Sequence, residues 1–444
     1  MQHSAQATRR WPISQHATAV LLLAGMAQAL SLAWPFDGAF KGDAQGWLQC
    51  VSLAVLAFHI DRSQSGKEAF VKAWVFALAW LAGSIWWLFI SMHRYGGLPA
   101  PVAGLAVGLM AAGLALFYAA AAAVYHAICK TGVGVLPRAC AFAAVWVLAE
   151  MVRGTLWTGF PWGAVGYAHV DSLLQHWAPW MGVYGLCALS AFMAMAVAAE
   201  RKDNRPTTRA TQLVVAAIVA VLGYTWFMSP SQSVDEEALS KKPLSVTLLQ
   251  GNIPQDLKFG EGVSLALRDY REALLSSTSD LTVTPETAIP LIQQQMPERY
   301  WSQLETHFSK GKQAALIGLP LAQRSEQGQL QYSNSAIALM PQTTPASTAS
   351  YQYDKHHLVP FGEFVPPLFQ WFVRMMNIPL GDFNRGDVAQ PSFVFKGERI
   401  APNICYEDLF GEELARSFAD PDKAPTLMVN LSNIAWFGDT VAID

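Results

Sequence analysis

Residues 400–414 read IAPNICYEDLFGEEL. A short apolar run ends at Cys405, and Glu407 and Asp408 follow at once. A buried-strand pattern that delivers a thiol at its end is the way an α/β sheet presents a reactive group. Four other cysteines, Cys50, Cys129, Cys140 and Cys187, lie in or beside long apolar segments, where the thiol serves as a small hydrophobe. Cys405 is the one cysteine of the polar half, so it has no disulfide partner there.

Working outward from Cys405, strand-like and helix-like runs alternate. Strands are expected at 244–253, 281–287, 314–320, 333–341, 399–407 and 426–432, and helical spacing at 262–277. This order predicts an α/β sandwich with sheets packed under helices. The run PQTTPASTAS, residues 341–350, is low in complexity and reads as a surface loop.

The N-terminal half is of another kind. The chain is 52% hydrophobic and only 14% charged, whereas a soluble chain carries about 25% charged residues. Residues 1–230 hold 14 Lys/Arg against 8 Asp/Glu, and the remainder holds 16 against 25, so a cationic apolar part precedes an anionic polar one. No dense basic stripe is present, which argues against nucleic acid as a partner. Spanning helices are expected at about 15–34, 46–60, 70–92, 99–128, 139–156, 179–199 and 211–229. The first follows Arg9 and Arg10 and could pass for a signal peptide, but with further spans behind it reads as an uncleaved helix. The expected domains are a bundle of about seven spans over 1–229, a linker over 230–243 and an α/β domain over 244–444.

Lys and Arg collect in alternate loops: Arg62, Lys67 and Lys72; Lys130 and Arg138; Arg201, Lys202, Arg205 and Arg209. Those loops are therefore expected in the cytoplasm, and the α/β domain outside it, in the periplasm of a two-membrane bacterium. The fifth loop carries GFPWG (159–163) and several Trp residues. It reads either as an interfacial aromatic belt or as an apolar mouth for a substrate.

Three polar residues fall at or just beyond expected strand ends: Glu286, Lys355 and Cys405. A thiol is a weak nucleophile until a base takes its proton. A carboxylate can be that base, and an ammonium can stabilise the thiolate and the oxyanion formed at an attacked carbonyl. Spacing alone leaves alternatives open. Glu286 could be a surface carboxylate, Lys355 a solvated loop charge, and Glu363 and Glu407 either supports of a site or its solvated rim. His356 and His357 invite a Cys/His dyad or a metal site, but no compact ligand set accompanies them, so no metal is expected.

The motifs QGNIPQDLKF (250–259), TPETAIP (284–290), YDKHHLVPFGEFVP (353–366), ICYED (404–408) and SNIAWFG (432–438) together resemble the apolipoprotein N-acyltransferase family and its carbon–nitrogen hydrolase (nitrilase-superfamily) domain. The apolar half, GFPWG included, is similar to that family's membrane part. The resemblance implies a multispan α-helical membrane domain plus an extracytoplasmic αββα sandwich. It implies transfer of a fatty acyl chain from a phospholipid to the α-amine of a diacylated apolipoprotein, by a ping-pong route with no cofactor. It assigns Glu286 as general base, Lys355 as oxyanion stabiliser and Cys405 as nucleophile, with Glu363, Tyr406 and Glu407 in support. Ile434 stands where the family motif has Asp, so an altered loop is expected there. The resemblance also implies further sandwich and a last transmembrane helix beyond Asp444, so the domain is expected to be C-terminally incomplete. Other readings are a membrane-tethered amidase and an inactive lipid- or lipoprotein-binding homologue.

Overall fold

A computed structural model describes residues 13–129, 133–203, 223, 243–324, 328–342, 350–366, 371 and 383–442. The expected last span, the linker and most of the 341–350 run lie outside the described residues. The chain forms two compact units: Met1–Phe89 with Ala100–Gln232 and Thr440–Asp444, and Ile90–Pro99 with Ser233–Asp439.

The first unit is helical: α1 Gln15–Leu30, α2 Gly46–Asp61, α3 Gly66–Ile85, α4 Ala100–Ile128, α5 Val135–Thr155 and α6 Ala178–Asp203. Among the described residues, four helical segments are long and apolar enough to cross a membrane: Gly66–Ile85, Ala100–Ile128, Val135–Thr158 and Leu173–Ala199. The expected span at 70–92 starts earlier and stops at Ile85. Ser65 caps α3 by accepting from the Glu68 amide at 3.2 Å, and Glu68 accepts in return from Gln64 N at 2.8 Å.

Small residues let these helices approach closely, as lipid-embedded helices require. A Cβ on Gly25 of α1 would lie 2.3 Å from the Phe76 carbonyl of α3. Trp80, Tyr118 and Trp146 form an aromatic core, with Tyr118 and Trp146 centroids 4.8 Å apart. Leu23, Leu105, Leu109 and Leu148 point outward. Arg153 is fully buried and ion-paired with Glu150 at 2.8 Å. Its guanidinium also donates to the carbonyls of Phe160 and Trp162 at 2.5 and 2.7 Å, which ties GFPWG to α5.

In the second unit a five-stranded sheet has the order β1-β2-β3-β4-β5: Val246–Leu248, Leu281–Val283, Ala314–Arg324, Leu330–Leu339 and Ser350–Asp354. The first three strands are parallel and the remaining pairings antiparallel. A three-stranded sheet joins β6 Phe393–Phe395, β7 Glu398–Ile404 and β8 Leu427–Leu431. The period of two sets the layers. Ala315, Ile317, Leu319 and Leu321 of β3 face α7 (Gly262–Ser276) and α8 (Tyr300–Lys310), against Leu274, Leu304 and Phe308. The alternate residues Ala314 and Leu316, with Ala336 and Ala338, pack on Phe393, Ile400, Ile404 and Leu431 of the smaller sheet. Sheet therefore lies on sheet, with helices on the outer face of the larger one. Three expected strands are shorter than their apolar runs: 244–253 contracts to Val246–Leu248, 281–287 ends at Val283 before the turn at Glu286, and 399–407 ends at Ile404, where a 3-10 turn begins.

Candidate active site

The ends of β2, β5, β7 and β8 converge beside the middle of β4. Past β2 the chain turns sharply over Pro285 and Glu286, with Thr287 at φ 48°. The turn lies so close to β3 that a Cβ on Gly318 would meet the Pro285 carbonyl at 2.3 Å. Lys355 follows β5, and its amide donates to the Asn334 carbonyl of β4 at 2.8 Å. Cys405 is the first residue past β7 and opens the 3-10 turn Cys405–Leu409. Its φ of 55° places a non-glycine residue in the left-handed region, at an expense of about 1–2 kcal/mol.

These elements bring Glu286, Lys355 and Cys405 together, and Glu363 joins them. Lys355 Nζ donates to Glu286 Oε1 at 3.2 Å and to Glu363 Oε1 at 3.0 Å. Lys355 is 1% exposed and both glutamates are 8% exposed, so the ammonium and carboxylates interact with little screening. The Cys405 thiol is half-buried and adjoins Glu286, whose carboxylate raises its pKa. Each acid has further donors. Asn334 Nδ2 reaches Glu286 Oε1 at 2.7 Å and Glu363 Oε1 at 2.6 Å. The Asn433 amide donates to Glu286 Oε2 at 3.1 Å, and Val359 N to Glu363 Oε2 at 2.8 Å.

The charge states follow from these contacts. Burial opposes ionisation of Glu286, but Lys355, Asn334 and Lys258 outweigh it and hold its carboxyl below the usual range. Burial likewise opposes the Lys355 charge, yet Glu286 and Glu363 win and raise its pKa. Burial and the adjoining Glu286 push the Cys405 thiol up to about 12, with Lys355 acting the other way. The resting constellation is thus a neutral thiol, an anionic acceptor for its proton, and a cation. A base beside a nucleophile and a cation beside both can carry out covalent acyl chemistry.

Tyr406 and Glu407 stand differently. Glu407 is 4% exposed and its carboxylate acts as a brace. It accepts from Ile404 N at 2.6 Å, His356 N at 2.7 Å, His357 N at 3.2 Å and Tyr353 Oη at 2.9 Å. One carboxylate thereby fixes the turn of Cys405 to the loop of Lys355. Tyr406 is buried edge-on to Phe410, with centroids 5.0 Å apart. The two histidines are engaged elsewhere: His356 Nδ1 with the Gly386 carbonyl at 2.7 Å and His357 Nδ1 with Glu413 at 3.1 Å. Among the described residues, no three His, Cys, Asp or Glu side chains are grouped as ligands for a metal.

Sequence reasoning passed over four participants: Asn334, Asn433, Gln255 and Lys258. Asn433 Nδ2 donates to Gln255 Oε1 at 3.3 Å, and Lys258 Nζ to the Glu286 carbonyl at 3.3 Å. The signal for two of them was present, since Gln255 and Lys258 are polar residues spaced within the motif 250–259 yet are 6% and 7% exposed. Ile434 lies in the 3-10 turn Ile434–Phe437, half-exposed, and the contact that this loop makes with Glu286 comes from the Asn433 backbone.

Comparison with known proteins shows which family the chain resembles. A family model described as the apolipoprotein N-acyltransferase N-terminal domain matches residues 14–196, and the carbon-nitrogen hydrolase model matches residues 245–442. The apolipoprotein N-acyltransferase of Verminephrobacter eiseniae is 48% identical over 435 residues, covering 95% of this chain and 78% of that protein. That of Ralstonia nicotianae is 42% identical over 410 residues, covering 91% and 75%. Among solved structures, a carbon-nitrogen hydrolase from Helicobacter pylori overlaps 43% of this chain and 59% of that one, with a TM-score of 0.27 at 15% identity. A likeness that slight carries no argument.

Proposed function

The chain belongs to the apolipoprotein N-acyltransferase family, and from that membership we propose that it moves a fatty acyl chain from a phospholipid to the N-terminal α-amine of a diacylglyceryl-cysteine apolipoprotein, through a thioester on Cys405. The observation that carries the mechanism is the buried contact of Lys355 Nζ with Glu286 Oε1 at 3.2 Å, with the Cys405 thiol adjoining that same glutamate.

In the first half-reaction Glu286 takes the Cys405 proton as Sγ attacks the ester carbonyl of the phospholipid. Lys355 faces the negative charge that develops on the carbonyl oxygen. The tetrahedral adduct collapses, the C–O bond breaks, and the proton on Glu286 goes to the departing alkoxide. Lysophospholipid leaves, and the acyl group stays on sulfur. In the second half-reaction the α-amine of the lipoprotein attacks the thioester carbonyl and gives up a proton to Glu286. The C–S bond breaks and that proton returns to sulfur. The thioester conserves the reactivity of the ester, so the sequence runs without nucleotide or metal. Lys355 stays charged throughout, and Glu363 shares its charge so that it does not collapse onto Glu286 alone.

The surroundings suit lipid substrates. The helical unit places the protein in a membrane, where donor and acceptor are both anchored. The loop charges favour the inner membrane of a bacterium, with residues 244–444 on the periplasmic side of a bundle formed by 1–229 and a linker over 230–243.

The test uses the full chain in phospholipid micelles with a synthetic diacylated lipopeptide. The expected products are a lipopeptide heavier by one acyl group on its α-amine and an equal amount of lysophospholipid. Release of free fatty acid without lipopeptide modification, or turnover of a soluble amide in the absence of lipid, would point instead to a hydrolase.

A further inference from the structure

The catalytic reading leaves a buried cation unused. Lys258 lies in the loop between β1 and α7 and is 7% exposed. A lysine is rarely buried without a charge to face. Its Nζ donates to the backbone carbonyl of Glu286 at 3.3 Å, and its charge acts on both Glu286 and Cys405. Lys355 already binds Glu286 from the β5 side, so Glu286 is bracketed by two cations, one on its carboxylate and one on its main chain. The same loop carries Gln255, which Asn433 joins to the amide that binds Glu286 Oε2.

We propose that Lys258 is a positioning residue of the acyl-transfer site, which holds Glu286 in its base-competent state and ties the activation of Cys405 to the charge on its own ammonium. The proposal rests on the acyltransferase reading for its substrate but not for its electrostatics. The charged and titratable groups facing Glu286 are Lys355 and Lys258, with the thiol beside it; those facing Cys405 are Glu286, Lys355 and Glu363, with Lys258 the weaker neighbour. Lys355 and Lys258 differ in one respect. Two carboxylates hold Lys355 charged, whereas burial pulls Lys258 down to about 8, with only Glu286 and Cys405 opposing. Lys258 is therefore the cation of the pair that discharges near the pH of use.

Lys258 in its charged form stabilises the Glu286 carboxylate and a Cys405 thiolate. Removing the charge raises both pKa values, so the reactive form of the thiol is reached only at higher pH. Discharging Lys258 above about pH 8 has the same effect within the wild type.

The experiment measures iodoacetamide alkylation of Cys405, followed by the mass of its peptide, across pH in the full chain in micelles. Wild type, Lys258→Met and Lys258→Arg are compared. Lys258→Met is expected to slow alkylation at neutral pH about tenfold and to converge on the wild-type rate above about pH 8, where the native ammonium is already discharged. Lys258→Arg, which keeps its charge at every accessible pH, is expected to keep the wild-type alkylation rate at neutral pH and to remove the fall in acyl transfer to lipopeptide above about pH 8. A Lys258→Met profile that superimposes on the wild type overturns the proposal, even if the amplitude falls. Because alkylation needs no lipid, a shift seen without any lipopeptide modification would sink the acyltransferase reading and leave the role of Lys258 standing.

Discussion

Lys355 and Glu363 form a buried ion pair, Nζ to Oε2 at 3.0 Å, that leaves the other flank of the ammonium to Glu286. Lys355 is thus the only cation that both carboxylates contact among the described residues. Replacing it by Met leaves two buried acids side by side. Breaking such a pair from one side costs about 3–5 kcal/mol. Lys355→Met should therefore lower the unfolding midpoint in detergent markedly, and adding Glu363→Gln should restore part of the loss. Equal midpoints for wild type and Lys355→Met would contradict this assignment of charge.

Glu286→Gln keeps the shape and the acceptor oxygen but removes the base. Formation of the acyl-enzyme should slow by about 10²–10⁴-fold, as measured by quenched-flow mass analysis. Since the wild-type carboxyl is held below its usual range, the rate of the native protein should stay level from neutral pH downward until Glu286 takes up a proton below the ordinary carboxylate range. A rate that already halves near neutral pH on the acid side would mean that another group is the base.

Asp280 joins the two sheets. It accepts from Ser245 N at 2.9 Å, next to β1, and pairs with Lys396 in the β6–β7 turn. These contacts lower its pKa to about 2, the hydrogen bond from Lys396 first among them. A carboxyl depressed in the folded state contributes stability that is complete above its unfolded pKa of about 3.9 and is lost as the pH falls toward the folded value. The gap in unfolding temperature between wild type and Asp280→Asn should therefore be constant above about pH 5 and close as the pH drops below about 4. A gap independent of pH would remove Asp280 from this role.

Gly318 lets the Glu286 turn lie on β3. A methyl group there meets a main-chain carbonyl at 2.3 Å, and backbone cannot swing aside as a flexible side chain can. Gly318→Ala should destabilise the protein by about 1–3 kcal/mol and displace Glu286, so acyl-enzyme formation falls more than the loss of folded protein explains. Unchanged kinetics in the folded fraction would show that the turn accommodates the methyl.

The parts of this molecule that were legible in the sequence are those encoded locally. The thiol at 405 was marked by a continuous apolar run that ended on it, Glu286 by a polar residue closing a strand-like run, and Lys355 by the motif 353–366 that carries the resemblance. β5 and α8 were not picked out. Ser350–Asp354 is short and mostly polar, and Tyr300, Trp301, Leu304 and Phe308 are the only large apolar side chains on α8. Asn334 was illegible for a different reason. It sits within a strand opposite Pro320, and only tertiary folding brings Glu286 and Glu363 to its amide. The loop at Ile434 was read as altered because a side-chain carboxylate was missing, but its contact with Glu286 is made by main chain, which a side-chain pattern does not report.

The central claim is a covalent acyl intermediate on Cys405. The most direct measurement is the intact mass of the full chain after incubation with phospholipid micelles, before and after neutral hydroxylamine, beside Cys405→Ala. The account predicts one added acyl mass on the wild type alone, removed by hydroxylamine and discharged by a diacylated lipopeptide. A folded wild type that turns over lipopeptide with no hydroxylamine-sensitive adduct, or a Cys405→Ala variant that acquires the same mass, would contradict it.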